Sequence, residues 1–269
     1  MTGLSVLVAP GNRTTKIMDY LSYRNLCMNA RGELCLGLLE TDVLYPDLIS
    51  DYTSYGTMFR QLLAEEDASL HFRHYQVTEG QLPERMDECD VYLITGSKAG
   101  VYDPLPWLEP LSDWIRAAFD AGRPMLGICF GHQILAHCLG GHAEKSSKGW
   151  GVGNQTMSVE HWPEFLSNPV GHYRLIYSHQ DQVTQLPPQA QRLAGNDFCP
   201  NASWFIGNQV LAFQGHPEFS AEYFRRLIGR RASHIGEQRL QAALNDIEQA
   251  NDGQRVIGWL AEFIRQAAA

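Results

Sequence analysis

The segment PMLGICFGHQILAHCLGG, residues 124–141, contains the change of hydrophobic pattern that decides the fold. Its first part, PMLGIC, is a short continuous apolar run, which is typical of a strand buried on both faces of a sheet. Residues 132–139 have the pattern of a helix, which Gly140 and Gly141 end. A strand that passes directly into a helix predicts a parallel sheet with Cys129 at the junction.

Cys129 stands two residues from a glycine on each side, Gly127 and Gly131. A nucleophile held on a tight strand-to-helix turn needs glycine at both positions, because side chains there would collide. The N-terminus of the following helix favours a thiolate, and the N–H of Phe130 would point towards a developing oxyanion. The alternative is a buried thiol beside two turn glycines, since cysteine is often a core residue. Cys138, inside the helix, lacks these features and is predicted to be such a core thiol.

Apolar runs alternate with helical patterns along most of the chain. The predicted strands are 33–39, 70–77, 89–97, 151–159, 172–177 and 209–216; the predicted helices are 54–66, 107–122 and 132–139, with mostly helical sequence from 220 onward. This alternation predicts an α/β fold with a mostly parallel central sheet and helices on both faces. Sites in such sheets lie at the carboxyl ends of strands, where Gly96, Cys129 and His216 are expected.

The segment QGHPEF, residues 214–219, offers the groups that a thiol nucleophile needs. His216 ends an apolar strand, and Pro217 prevents the strand pairing from continuing. Glu218 is close enough in sequence to hold the imidazole in one tautomer, so His216 and Glu218 are candidates for base and orienting group. LITGS, residues 93–97, places Gly96 where a backbone N–H can be a second oxyanion donor; strand-end glycines are common, so this motif is weak alone.

Together these motifs resemble the class I glutamine amidotransferases, a family with a Cys-His-Glu triad. GICFGHQ, QGHPEF and LITGS carry the resemblance, YSHQDQVTQLP at 177–187 supports it, and it covers roughly residues 33–220. It implies a flavodoxin-like three-layer sandwich. It further implies the following roles: nucleophile Cys129, general base and acid His216, orienting residue Glu218, oxyanion N–H groups of Gly96 and Phe130, and substrate binding by Gln133 and the backbone of Ser178, His179 and Gln180.

Several of these residues also have structural readings. The Ser178–Asp181 segment can be a plain turn before a Pro-Pro loop, and Gln133 can be a solvated residue in the first turn of a helix. His132 is interpreted as structural, since His216 fills the role of base. Gly215 departs from the family pattern, in which a bulky aromatic often precedes the histidine, so a more open site wall is expected.

The resemblance implies hydrolysis of the glutamine side-chain amide through a cysteine thioester, which releases ammonia and glutamate without a metal or other cofactor. The expected partners are a small-molecule substrate, glutamine or a γ-glutamyl compound, and a synthase subunit in trans. The alternative is a stand-alone γ-glutamyl peptidase. An α/β-hydrolase with a cysteine elbow would use Asp181 or Asp197 as its acid and leave Glu218 idle. A non-catalytic binding module would not need the motif residues.

Composition excludes several other classes. The formal charge of −9 argues against general nucleic-acid binding. Apolar runs of 18 or more residues are absent from the sequence, so a membrane span is not expected. The six cysteines include no CxxC pair, and we interpret them as reduced thiols of a cytoplasmic protein.

Three segments are predicted. Residues 1–27 are interpreted as an extension outside the domain, with a first strand at 4–9 as the alternative, and residues 28–220 as the amidotransferase-like domain. Residues 221–269 are interpreted as helices packed on that domain. Within them, RVIGWLAEFI at 255–264 has an apolar helical face, with a partner surface as the alternative to packing.

A chain that starts at Met28 tests the proposed extension. We expect it to be as soluble and as active as the full chain, because residues 1–27 are predicted to lie outside the domain. Soluble yield and specific activity of the two chains, purified in parallel, measure this. Loss of soluble protein would show that the first 27 residues belong to the folded unit.

Overall fold

The computed structural model describes residues 34–267, so the proposed extension at 1–27 lies outside the described residues. The strands in the described part are β1 (Cys35–Glu40), β2 (His71–Gln76), β3 (Val91–Ile94), β4 (Met125–Ile128), β5 (His142–Lys145), β6 (Gly151–Val159), β7 (His172–His179), β8 (Asp181–Gln185), β9 (Gln191–Gly195), β10 (Ser203–Ile206) and β11 (Val210–Phe213). The α-helices there are α1 (Pro46–Tyr52), α2 (Tyr55–Glu66), α3 (Leu108–Asp120), α4 (Phe130–Cys138), α5 (Ala221–Ile228), α6 (Ala232–Ile235), α7 (Glu237–Asp246) and α8 (Gly253–Ala267).

The main sheet has nine strands in the order β2-β1-β3-β4-β11-β10-β9-β6-β7. The pairings from β2 through β11 are parallel, which confirms the predicted α/β class and its parallel sheet. Strands β10, β9, β6 and β7 extend the sheet in antiparallel pairings, and β5 with β8 forms a separate two-stranded sheet. This antiparallel part of the main sheet was not predicted. Strands β6 and β7, and strands β9, β10 and β11, are consecutive in the chain without a helix between them, and strands that pair without a crossover helix are antiparallel.

Strand β4 is buried on both faces, as its continuous apolar sequence predicts. Leu126 and Ile128 belong to the core that β4 shares with α2 and α8. Met125 belongs to the core on the other face, together with residues of α3 and α4. Alternation along a strand therefore gives helical layers on both sides of the sheet.

The carboxyl-terminal helix α8 is part of the main core. Val256, Trp259, Leu260 and Phe263 are at most 5% exposed and belong to the same apolar cluster as the sheet residues. The Trp259 ring meets Tyr173 edge to face, with ring centres 5.8 Å apart. The apolar face of 255–264 thus packs inside this chain. Among the described helices, none combines the length and apolar character that a membrane crossing requires.

Some elements differ from the sequence predictions. The helix predicted at 132–139 begins at Phe130, because Cys129 is its N-cap and β4 ends immediately before it. The short helix α1 was not predicted, since Leu48 is its one buried residue and gives no helical period. The predicted strand at 209–216 ends at Phe213, and His216 lies in the loop beyond it.

Truncation of Trp259 tests the role of α8 in the core. We expect Trp259→Ala to lower the free energy of unfolding by about 3–5 kcal/mol, because it removes a large ring from a close-packed site. Urea denaturation measures this. The matched control is Val43→Ala, since Val43 is 53% exposed and should lose less than about 0.5 kcal/mol. Equal losses in both variants would contradict the packing role.

Candidate functional site

Cys129 occupies the turn between β4 and α4 with a φ of 54° and a ψ of −100°. A positive φ is uncommon for a residue with a side chain and costs on the order of 1–3 kcal/mol, so it persists only where surrounding contacts enforce it. One such contact is the backbone N–H of Cys129, which donates to the carbonyl O of Phe213 at 2.8 Å. The cysteine is thereby tied to the end of β11.

The two glycines around the cysteine allow the chain to pack without side chains. A β-carbon at Gly127 would lie 2.6 Å from the carbonyl O of Gly131, and one at Gly131 would lie 2.1 Å from the carbonyl O of Ile94. Both distances are too short for any other residue. The first turn of α4 therefore rests directly on β3, and the Gly131 N–H donates to the carbonyl O of Thr95.

His216 lies beside the cysteine and is held from several directions. Its Nδ1 is 2.8 Å from Oε1 of Glu218, and both residues are at most 5% exposed. Its backbone N–H donates to the carbonyl O of Ile176 at 2.8 Å. The Phe219 ring stacks on the imidazole, with ring centres 3.8 Å apart and planes 10° apart.

The charge state of His216 follows from these neighbours. Burial by itself lowers the pKa of His216, but electrostatic interaction and hydrogen bonding with Glu218 and Cys129 raise it to about 10. The second oxygen of the Glu218 carboxylate, Oε2, is buried and has no hydrogen-bond partner among the described residues. The carboxylate is thus committed to the imidazole.

The predicted oxyanion donors lie next to this pair. A β-carbon at Gly96 would be 3.1 Å from Cε1 of His216 and 3.6 Å from Cβ of Cys129. Phe130 is the first residue of α4, and an N–H at that position has no acceptor within its own helix. Gly96 therefore lies beside Cys129 and His216, and Phe130 directly follows the cysteine in the chain.

Thr41, which the sequence did not single out, braces the Gly96 segment. Its buried Oγ1 lies 3.0 Å from the carbonyl O of Thr95 and 3.2 Å from that of Gly96. Its backbone N–H donates to Oγ1 of Thr95. A threonine directly after a strand carries no sequence signal for this role, because its partners follow a different strand, β3, more than 50 residues along the chain.

The predicted substrate-binding residues also converge. Gln133 is buried, and its Nε2 donates to the carbonyl O of Asp181 at 2.9 Å and to Oε1 of Gln214 at 3.0 Å, so the solvated reading is wrong. Ser178 and His179 end strand β7, so they do not form a plain turn. His179 is buried, which lowers its pKa to about 4, and its Nδ1 donates to the carbonyl O of Asp181.

A pocket of about 360 Å³ opens at Cys129, within the usual size range of small-molecule sites. Its wall includes all of the predicted substrate-binding residues. It also includes residues that the sequence did not single out, from the loop after β3, from Trp150 and from the segment after α5, where Arg230, Arg231 and His234 take part. Within residues 34–267, no group of three or more His, Cys, Asp or Glu side chains is placed to hold a metal ion.

His132 and Cys138, which the sequence analysis interpreted as structural, are both buried. His132 is fully buried, its Nε2 donates to the carbonyl O of Asn201 at 2.9 Å, and burial lowers its pKa to about 3. Burial also raises the pKa of the Cys138 thiol. The α/β-hydrolase alternative requires Asp181 or Asp197 to bind Nδ1 of His216. Glu218 already binds that nitrogen, so the structure does not support this alternative.

The expectation of a more open wall at Gly215 is wrong. A β-carbon there would lie 2.8 Å from the Tyr177 ring and 2.9 Å from Cβ of Leu175. Buried Tyr177 thus fills the space that a side chain at 215 would need. The aromatic contact is supplied from β7 instead of from the position before the histidine.

Several known proteins resemble this chain in sequence and in fold. The glutamine amidotransferase class-I family model matches residues 48–231. Gamma-glutamyl peptidase 4 of Arabidopsis thaliana is 32% identical over 186 residues, which are 66% of this chain and 73% of that protein. A glutamine amidotransferase-like protein of Schizosaccharomyces pombe is 26% identical over 85% of this chain and 98% of its own length. The crystal structure of a glutamine amidotransferase from Thermotoga maritima has a TM-score of 0.69 at 20% identity, covers 87% of this chain and 97% of its own, and shows the same fold. The resemblance inferred from the motifs is confirmed.

The buried histidine His132 predicts a dependence of stability on pH. Its pKa is lower in the folded chain than the usual unfolded value, so its contribution is fully present above about pH 6.5 and is lost as the pH falls towards the folded pKa. Between pH 7.5 and pH 5, we expect this single group to remove up to about 2 kcal/mol of unfolding free energy.

Urea denaturation at the two pH values measures the effect. His132→Gln should be less stable than the wild type at pH 7.5 but should lose less on acidification. His172→Gln is the matched control, since His172 is exposed. If all three proteins lose the same free energy between the two pH values, His132 is not the acid-sensitive group.

Proposed function

We propose that this chain, which belongs to the class I glutamine amidotransferase family, hydrolyses a γ-glutamyl amide bond through a thioester on Cys129. The observation that carries the proposal is a cysteine on a strained strand-to-helix turn beside a buried His216–Glu218 pair. Nucleophilic catalysis requires such a nucleophile, a base and an orienting group within reach of one another.

The first half of the proposed reaction forms the thioester. The Cys129 thiol gives its proton to His216 as its sulfur attacks the γ-carbonyl carbon. The S–H bond breaks, a C–S bond forms, and the oxygen becomes an oxyanion that faces the N–H groups of Gly96 and Phe130. His216 then gives its proton to the leaving nitrogen as the C–N bond breaks. Each oxyanion donor contributes on the order of 100- to 1,000-fold, and the acid on the order of 100- to 10,000-fold.

The second half returns the enzyme to its starting state. Water enters where the amine left, His216 accepts a proton from it, and the new C–O bond forms. The C–S bond breaks, His216 returns the proton to the sulfur, glutamate leaves, and the sulfur and imidazole have the charges with which they began. In this scheme Cys129 and His216 carry out every bond change and proton transfer with the substrate and water.

We propose γ-glutamyl peptides or other γ-glutamyl amides, rather than glutamine alone, as the substrates. The pocket extends from Cys129 to Trp150 and to Arg231 beyond α5, and ammonia as a leaving group needs no binding surface of its own. The similarity to a γ-glutamyl peptidase supports this choice. Glutamine hydrolysis that supplies ammonia to a synthase in trans is the second candidate, since family membership supports it equally.

We further propose that the protein acts in the cytoplasm. The five cysteines of the described residues are free. The Cys35 thiol donates a hydrogen bond to the sulfur of Cys89 at 3.2 Å. Reduced thiols are typical of the cytosol, and the proposed nucleophile itself requires a reduced state.

Kinetics on the purified chain test the function. We expect hydrolysis of γ-glutamyl dipeptides at a higher kcat/KM than hydrolysis of glutamine. A glutamine analogue with an electrophilic side chain should alkylate Cys129 and leave Cys138 unmodified, as peptide mass spectrometry would reveal. Preferential turnover of glutamine, strengthened by an added synthase, would support the second candidate instead.

Variants of the proposed triad complete this test. Cys129→Ala should lose all measurable turnover and keep its melting temperature, and Cys138→Ala is the matched control that should remain active. Glu218→Gln should lose less activity than His216→Ala, because the base remains present. Turnover that survives in Cys129→Ala would rule out the thioester mechanism, and the reverse order of the other two would rule out Glu218 as the orienting residue.

A further inference from the structure

Arg231 reaches the candidate active site from outside every recognised motif. It ends the short turn Gly229–Arg231 that follows α5. Its Nη1 donates to the carbonyl O of Ser178 at 3.1 Å and to Oγ of Ser178 at 2.9 Å. Its guanidinium lies 5.4 Å from the centre of the Trp150 ring. All three residues line the pocket that opens at Cys129.

The other cations of the pocket wall have acidic neighbours. Lys98 Nζ is 2.6 Å from a carboxylate oxygen of Asp42, and Arg230 pairs with Asp47. Lys145 is exposed and interacts with the charge of Asp181. The hydrogen bonds of Arg231 found within residues 34–267 go to Ser178, which carries no charge. Arg231 is thus a half-buried cation of the pocket wall, and its hydrogen-bond partner Ser178 does not neutralise its charge.

We propose that Arg231 binds a carboxylate of the substrate, an inference that rests on the proposed γ-glutamyl hydrolysis. Both bonds to Ser178 use Nη1, so the edge formed by Nε and Nη2 is left for a bidentate carboxylate bond. The guanidinium lies over the Trp150 ring, and Ser178 holds its Nη1 by two hydrogen bonds. These contacts reduce the entropy that the side chain would lose on binding.

The acidic residues of the same pocket suit the rest of such a substrate. Asp103 and Asp181 both line it, beside the loop that contains Gly100. A pocket with a guanidinium and carboxylates matches an α-amino acid group, which has a carboxylate and an ammonium. A γ-glutamyl peptide has a second carboxylate on its leaving amine, so the two sources need separate tests.

Kinetics of Arg231 variants test the proposal with three substrates. These are γ-glutamylglycine, γ-glutamylglycinamide, which lacks the leaving-group carboxylate, and 4-aminobutanoylglycine, which lacks the α-carboxylate. With γ-glutamylglycine, Arg231→Gln should raise KM about 10- to 100-fold, as expected for one charge-assisted bond, with a much smaller change in kcat. Arg231→Lys should fall between. Arg225→Gln, at an exposed position of α5, is the matched control and should match the wild type.

The pattern across the three substrates separates carboxylate binding by Arg231 from structural support of Ser178 by Arg231. The KM penalty of Arg231→Gln should disappear on the substrate that lacks the carboxylate bound by Arg231, which identifies its source. An equal penalty on all three substrates would overturn the proposal, because Arg231 would then merely support Ser178. An unchanged KM on γ-glutamylglycine would overturn it too.

A binding measurement makes the test independent of catalysis. Calorimetry of Cys129→Ala with γ-glutamylglycine should show binding that Arg231→Gln weakens by the same factor; equal affinity would overturn the proposal. Binding without wild-type turnover would overturn the proposed function and leave the carboxylate site standing. If Arg231→Gln fails to melt cooperatively, Arg231→Lys decides, and an unchanged KM and affinity in that variant would overturn the proposal.

Discussion

The positive φ of Cys129 is the constraint on which the rest of the site depends. The conformation lifts the cysteine off the end of β4 and starts α4 one residue later. It is held because Gly131 lies against the carbonyl O of Ile94 and because the Cys129 N–H bonds to Phe213. Strain at one residue is thus balanced by contacts with both neighbouring strands, β3 and β11.

That balance requires a particular strand order. Strands β3, β4 and β11 are adjacent and parallel, so their carboxyl ends bring Gly96, Cys129 and the chain leading to His216 to one edge. The antiparallel half of the sheet then supplies the other wall, because β7 ends at Ser178 and His179. The proposed chemistry lies on the parallel half, whereas much of the pocket comes from segments beyond it.

The sequence was sufficient to predict the parallel half and the proposed triad. Gly127, Cys129 and Gly131 stand close together in sequence, and His216 and Glu218 form one short motif, so the local pattern contains the information. Thr41 and Arg231 were not predictable, since each acts through a partner more than 50 positions away in the chain. The aromatic that replaces a side chain at Gly215 comes from Tyr177 on another strand, and a single sequence does not reveal such an exchange.

The stacking of Phe219 on His216 has a consequence for how protons move. One face of the imidazole lies against the Phe219 ring, which itself packs 4.6 Å from the Tyr223 ring of α5, and Nδ1 is engaged by Glu218. A ring flip would have to break the carboxylate bond and the stack together. In the proposed reaction, a single nitrogen, Nε2, therefore both releases the proton to the amine and collects the next one from water. In that scheme the imidazole keeps one orientation throughout. The molecule next to Nε2, first the leaving amine and then water, determines whether the histidine donates or accepts a proton.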